Sequence, residues 1–235
     1  HLVSLYLNDL YQKNEMNYAN GHLNYYLKHV ESDTLFIGSS RTLHHINSEL
    51  MGQNTYNLSK QGMSLGYQTA VVFLLDQYKK LPRKLLIIDL PAASMSLGSN
   101  EILNEQIHHL KYYYDKNVFI QQEIQQRSHF EFIKYWMSSY RFNGNSSILI
   151  SNTIQHIGDR PYLGGYLPLN VDPVDVFIED DPKLTSRQGG ENFIRYINEI
   201  LEICKRNDIQ LIFTSSPYYG RPKNLTWWTN EIESY

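Results

Sequence analysis

Apolar residues in this chain gather into short unbroken runs, separated by stretches where they recur every third or fourth position. The run in "TLFIGSS" (34–40), closed by small residues, predicts a buried parallel strand ending in a tight turn. "NTYNLSKQG" (54–62) predicts a second short strand followed by a glycine-containing loop. In "SLGYQTAVVFLLDQYKK" (64–80), Val71, Leu74, Leu75 and Tyr78 are spaced i, i+3, i+4, i+7, which predicts an amphipathic helix ending before Pro82. "KLLIIDL" (84–90) is apolar almost throughout and reads as a strand buried on both faces. Phe193, Ile197, Ile200, Leu201 and Cys204 then share one helical stripe, with Lys205 and Arg206 in the last turn, where they suit the helix dipole. "IQLIFTSS" (209–216) follows as another buried strand.

Strands alternating with helices imply a parallel sheet with right-handed crossovers. Residues 1–32 are polar and tyrosine-rich and are expected to form a helical lead-in to an α/β domain spanning 33–235. Residues from about 95 to 190 form a large insertion. Within it, "NEILNEQIHHLKYYY" and "SHFEFIKYWMSSYRF" read as helical, "SSILIS" as strand or helix, and 158–182 as loop, given its glycines and prolines.

Composition narrows the function classes. A chain of 235 residues with 42% hydrophobic residues is one globular domain, and a net charge of -3 offers no basic excess for nucleic acid. One cysteine, Cys204, rules out an intrachain disulfide and a multi-cysteine zinc site. Its place on an apolar helix face makes it a small buried hydrophobe. No apolar run reaches the length of a membrane span. The turn after the first strand lacks Gly-x-Gly-x-x-Gly, and no Gly-Lys-Ser/Thr occurs, so a nucleotide-binding domain is a poor fit.

In open α/β sheets, ligands bind beyond the carboxyl ends of the strands. The informative loop there is "GSSRT" (38–42). Gly38 permits a sharp turn, and Ser39 and Ser40 fall where a helix begins. A serine so placed presents an exposed hydroxyl beside backbone N–H groups able to stabilise a developing oxyanion, the two requirements of acyl transfer. The plain alternative is helix capping by either serine.

"LFIGSSRT" resembles the first block of the SGNH/GDSL hydrolase superfamily, with Ser39 in place of the family's Asp and Ser40 at the nucleophile position. "YNLSKQGMS" resembles the second block, and Gly62 matches its oxyanion-hole glycine. The resemblance implies a flavodoxin-like three-layer α/β/α sandwich. It also implies a Ser40 nucleophile, an oxyanion hole from the N–H groups of Ser40 and Gly62, and no cofactor or metal. Ser39 and Arg41 are candidate substrate contacts, although a structural ion pair is the stronger reading of Arg41. After the third strand stands "DLPAASM", without the family's Asn. Asp89 is the nearest polar residue and, when ionised, cannot donate in its place. The family's last block, Asp-x-x-His, is absent too, since the last histidine is His156. The expectation is that this block lies beyond Tyr235 and that the chain as it stands is inactive or nearly so.

"FIGSSRTLHHINSEL" with "YNLSKQGMSLGYQ" is similar to the SGNH-like proteins that accompany membrane-bound O-acyltransferases in bacterial envelope polysaccharide modification. The resemblance is good over 33–95 and covers 186–220 only as a βα unit. It implies an extracytoplasmic location, a carbohydrate or acyl-ester substrate, and either hydrolysis of an ester or transfer of an acetyl group. The alternative is a non-catalytic glycan-binding accessory protein that works with a membrane acyltransferase.

Other residues carry weaker signals. His44 and His45 lie one turn beyond Ser40, on a helix expected to point them away from it. Glu105 and His108 are spaced i, i+3, as in some metal sites, yet His108 and His109 read better as an exposed polar face. The acidic stretch Asp172 to Asp181 lacks EF-hand spacing. Trp227, Trp228 and some of the 19 tyrosines are candidates for stacking on sugars. The triplets at Asn57, Asn145 and Asn224 match the glycosylation pattern.

Overall fold

The computed structural model describes residues 2–13, 15, 21–52, 54–90, 105–127, 133–135, 137–142, 150, 163–169 and 191–215. Four strands, β1 (Thr34–Ile37), β2 (Thr55–Asn57), β3 (Leu85–Asp89) and β4 (Gln210–Thr214), form one sheet. Every pair is parallel and the order is β2-β1-β3-β4. The chain is therefore an α/β protein built on a parallel sheet.

Register follows from side-chain alternation along each strand. Leu35, Leu86 and Leu211 form one cross-strand row and Ile37, Ile88 and Phe213 the next, all facing the main core. Phe36, Ile87 and Ile212 form a row on the opposite face, at 5%, 9% and 39% exposure, so cover thins toward β4. The apolar run of β4 predicts a buried strand. Its residues instead alternate between exposed and half-buried, because among the described residues no strand lies beyond it and only Leu211 and Phe213 reach the core.

Two long helices pack against each other beside the core face: α4 (Leu65–Gln77) and, late in the chain, α7 (Glu191–Arg206). The stripe of α7 is buried as the spacing requires, with Phe193, Ile197, Ile200 and Cys204 inside and Leu201 half-buried. α4 differs from its expected amphipathic form. Residues Leu65 to Val72 are buried without a break, including Gly66, Gln68 and Thr69, while Tyr78 is exposed just past the helix end. Its first two turns are enclosed on all sides, so no single apolar stripe describes them.

The N-terminal residues form α1 (Leu2–Lys13) and α2 (Gly21–His29). Leu7, Leu10, Tyr11, Leu23 and Tyr26 belong to the same core as the sheet. Tyr11 stacks on Tyr112, ring centroids 3.9 Å apart, and Tyr113 donates a hydrogen bond to Asn24. Residues Glu105–Tyr113 form a 3-10 helix, followed by α5 (Val118–Arg127) and α6 (Ser138–Arg141). Glu123 on α5 is fully buried, where Arg195 pairs with it at 2.6 Å and the Tyr196 hydroxyl donates to its other oxygen. "PAASM", the acidic stretch 172–181, Trp227, Trp228, Asn145 and Asn224 lie outside the described residues.

Candidate functional site

The site begins where the central strand β1 ends. After Ile37 comes Gly38, then Ser39 in extended conformation (φ -93°, ψ -161°), then Ser40 as the first residue of α3 (Ser40–His45). Gly38 is required by contact. A Cβ there would lie 2.8 Å from Thr42 Cβ and 2.9 Å from Asp89 Cβ, and nearer still to Thr42 Oγ1. The absence of a side chain lets β1, α3 and the end of β3 converge on one point. Ser39 is buried, yet its hydroxyl makes no capping bond to the helix. Ser40 and Arg41 are half-buried.

The second loop returns beside the first. The Leu58 N–H donates to Phe36 O (2.8 Å) and the Lys60 N–H to Gly38 O (3.1 Å). Residues 58–60 thus prolong the β2–β1 pairing past the strand ends, into the turn that carries Ser40. Gly62 follows, exposed and at φ 74°, the left-handed region that favours glycine. The sheet therefore places the Ser40 and Gly62 loops at the same end. Asp89 closes β3 there, 2% exposed. Thr42 Oγ1, Ser59 Oγ, Ser64 Oγ and Gln68 Oε1 are also buried there, and none finds a hydrogen-bond partner among the described residues. Buried polar atoms of this kind are rare in folded proteins, and each calls for an explanation, such as strain, a bound water or a functional role.

A strap from far along the chain, residues 163–169, crosses α3. The Leu167 N–H donates to Leu43 O (3.1 Å), His44 Nδ1 donates to Leu167 O (2.8 Å), and Ser48 Oγ donates to Gly164 O (2.6 Å). His44 is thus engaged with the strap, and His45 is exposed. Asn57 underlies the same junction. It is fully buried, donates to the carbonyls of Thr42 (2.8 Å) and Ile46 (2.9 Å), and accepts from the Ser59 N–H (3.1 Å). Its glycosylation triplet is therefore closed to modification in the folded chain.

Beside this junction lies a cavity of about 90 Å³, lined by His22, Leu23, Leu43, Leu58, Ser59, Lys60, Gln61, Tyr67, Val71 and Leu167. Removal from water lowers the Lys60 ammonium from 10.5 to about 8. Its nitrogen sits 5.8 Å from the centre of the Tyr67 ring. Burial, and then the Lys60 charge, push His22 down to about 4, so its imidazole is neutral at pH 7 and hydrogen-bonds the Tyr56 hydroxyl at 2.9 Å. His109 is lowered to about 4 by burial first, then by Lys60, His108 and Lys111. Burial raises the Tyr67 phenol well above its usual range. Sequence reasoning missed this group. Lys60 and Tyr67 stand in or beside the second block, but nothing along the chain links them to His22.

Neither Ser40 nor Gly62 lines this cavity. Cys204 is buried, and burial pushes its thiol up to about 11, in keeping with a packing role. The His108 and His109 rings lie 4.2 Å apart, and among the described residues no group of three or more acidic, histidine or cysteine side chains is placed to hold a metal ion. No described helix is long and apolar enough to cross a membrane. Compared with known proteins, the chain matches no family model, no curated protein and no solved structure.

Proposed function

We propose that this chain is an SGNH-type, flavodoxin-like α/β/α domain whose Ser40 carries acyl-ester chemistry on a carbohydrate, as an esterase or an O-acyltransferase. One observation supports this reading above the others. The Lys60 N–H to Gly38 O bond draws the Gly62 loop alongside the turn that presents Ser40, at the carboxyl end of the central strand. In this scheme the Ser40 hydroxyl attacks the acyl carbon, and the amides of Ser40 and Gly62 stabilise the oxyanion. Ser39 and Arg41 flank the nucleophile as substrate contacts. The base is a histidine oriented by an aspartate in an Asp-x-x-His block, as the resemblance implies. An extracytoplasmic setting beside a membrane-bound O-acyltransferase belongs to the same proposal.

A second reading is a non-catalytic glycan-binding partner of such an acyltransferase. It draws on Asp89, an acceptor at the end of β3 where the oxyanion donor of the family stands, and on the engagement of His44 by the strap. A fluorophosphonate probe applied to the full-length protein at neutral pH separates the two. Labelling mapped to Ser40, and lost in Ser40→Ala, is expected for the enzyme. An unlabelled Ser40 in folded protein refutes it and leaves the binding partner.

A further inference from the structure

One side chain joins the two loops of the candidate site. Asn57 ends β2 and is fully buried. Its carboxamide nitrogen donates to Thr42 O at 2.8 Å and to Ile46 O at 2.9 Å, and its carboxamide oxygen accepts from the Ser59 N–H at 3.1 Å. Thr42 lies within α3, the helix whose first residue is Ser40, and Ile46 caps its end. Ser59 belongs to the run that holds Lys60 against Gly38 O and leads on to Gly62. A helix of six residues is marginal alone, and its last carbonyls need partners from outside. Asn57 supplies them from the strand beneath and steers the second loop with the same group. The strap closes the other side: a Cβ on Gly165 would lie 1.8 Å from Asn57 O. A carboxamide of this reach serves both segments. A carboxylate would face two carbonyl oxygens, and alanine would leave those acceptors and the Ser59 donor unmatched.

We propose that Asn57 is a positioning residue, which fixes α3 and residues 58–62 as one body and so sets the separation between the Ser40 hydroxyl and the Gly62 N–H. This rests on the acyl-ester reading of Ser40. Asn57 is enclosed and meets no substrate. It acts through the carbonyls of α3 on one side and the Ser59 amide on the other. Misplacement of a reacting group by about 1 Å can cost on the order of a hundredfold in rate, so a loosened clasp is felt at Ser40 even in folded protein.

The test is Asn57→Asp in the full-length protein. The introduced carboxyl is shut away from water beside two carbonyl oxygens, so its pKa rises above the ordinary value of about 3.9. Protonated, it donates to one carbonyl and still accepts from Ser59; ionised, it repels both carbonyls. The variant therefore tracks the parent at low pH and departs from it as pH rises. Fluorophosphonate labelling of Ser40 is expected to be at least about tenfold slower than in the parent at pH 8 and within about threefold of it at pH 5. Backbone hydrogen exchange gives a readout that does not need Ser40 to react. At pH 8 the Leu43, Ile46, Ser59 and Lys60 amides should lose protection together, while Ile87 and Ile88 of β3 keep theirs. A labelling ratio flat across pH in folded variant overturns the proposal. So does loosening of α3 without residues 58–62, or loosening that extends to β3. A parent unlabelled at Ser40 sinks the acyl-ester reading instead, and exchange alone then decides whether Asn57 joins the two segments. Should the variant fail to fold, the parent decides: the side-chain amide protons of Asn57 must exchange at least about a hundredfold more slowly than those of exposed Asn54, and equal rates overturn the proposal.

Discussion

Replacing Gly38 with alanine puts one methyl group at the tightest point of the molecule. Carbon atoms in van der Waals contact sit about 3.5–4.0 Å apart. The new Cβ would start 2.8 Å from Thr42 Cβ and 2.9 Å from Asp89 Cβ, with Thr42 Oγ1 closer again. Neither neighbour can swing into solvent, because Thr42 is 3% and Asp89 2% exposed. Relief must come from the backbone, by prising α3 off the end of β1 or by displacing β3. Over-packing of this sort costs about 1–3 kcal/mol, and two buried obstructions argue for the upper end, about 3 kcal/mol. In a chain of this size each kcal/mol moves the melting temperature by about 2–4 °C, so Gly38→Ala should melt about 6–12 °C below the parent. Thermal denaturation followed by circular dichroism measures this directly. Gly62→Ala is the comparison, since no described atom lies within 4 Å of where its methyl group would sit and only the left-handed backbone, at about 1–2 kcal/mol, opposes it. If Gly38→Ala melts within about 2 °C of the parent, the convergence of β1, α3 and β3 on Gly38 is wrong, and with it the placement of Ser40.

Two further outcomes follow from buried charge. Burial depresses Lys60 to about 8, while the unfolded chain holds the proton up to 10.5. The native state is therefore disfavoured in full below pH 8 and relieved as pH climbs toward 10.5. Lys60→Met should be more stable than the parent at pH 7 by on the order of 2–3 kcal/mol, with the gap closing by about pH 10.5; urea melts at the two pH values that show no narrowing would refute this. Arg195→Ala strands the fully buried Glu123 carboxylate and should cost about 3–5 kcal/mol in the same assay, most of it recovered in Arg195→Ala with Glu123→Gln.

The parallel sheet was legible because its inner strands are continuous apolar runs, and α7 because its apolar residues keep helical spacing. Strand β4 shows the weakness of the first signal. Its run looks like that of β3, yet among the described residues it stands at the sheet edge, with Gln210, Ile212 and Thr214 exposed. α4 shows the weakness of the second. Gln68 lies off the apolar stripe, yet it is buried and its side-chain N–H reaches Asp89 O at 3.4 Å, a partner that no helical period reveals. Ser39, Ser40 and Gly62 could be picked out because each stands in a short local pattern. Lys60, Tyr67 and His22 could not, since their grouping depends on α2 docking at the end of β2. The strap was hidden for a similar reason: Leu167 meets His44 across 123 positions of sequence.

The place of β3 in the sheet has a consequence for the chain as it is synthesised. β3 is complete at Asp89, but the strand that pairs with its free side begins only at Gln210. Ribosomes extend chains at about 5–20 residues per second, so the gap corresponds to roughly 6–25 seconds. Throughout that interval neither β4 nor α7 can yet cover the free side of β3 or the flank of α4 that later receives α7. A holdase that recognises strand edges would act on this part of the nascent chain within that window, and would be displaced when Gln210–Thr214 emerges and pairs with β3.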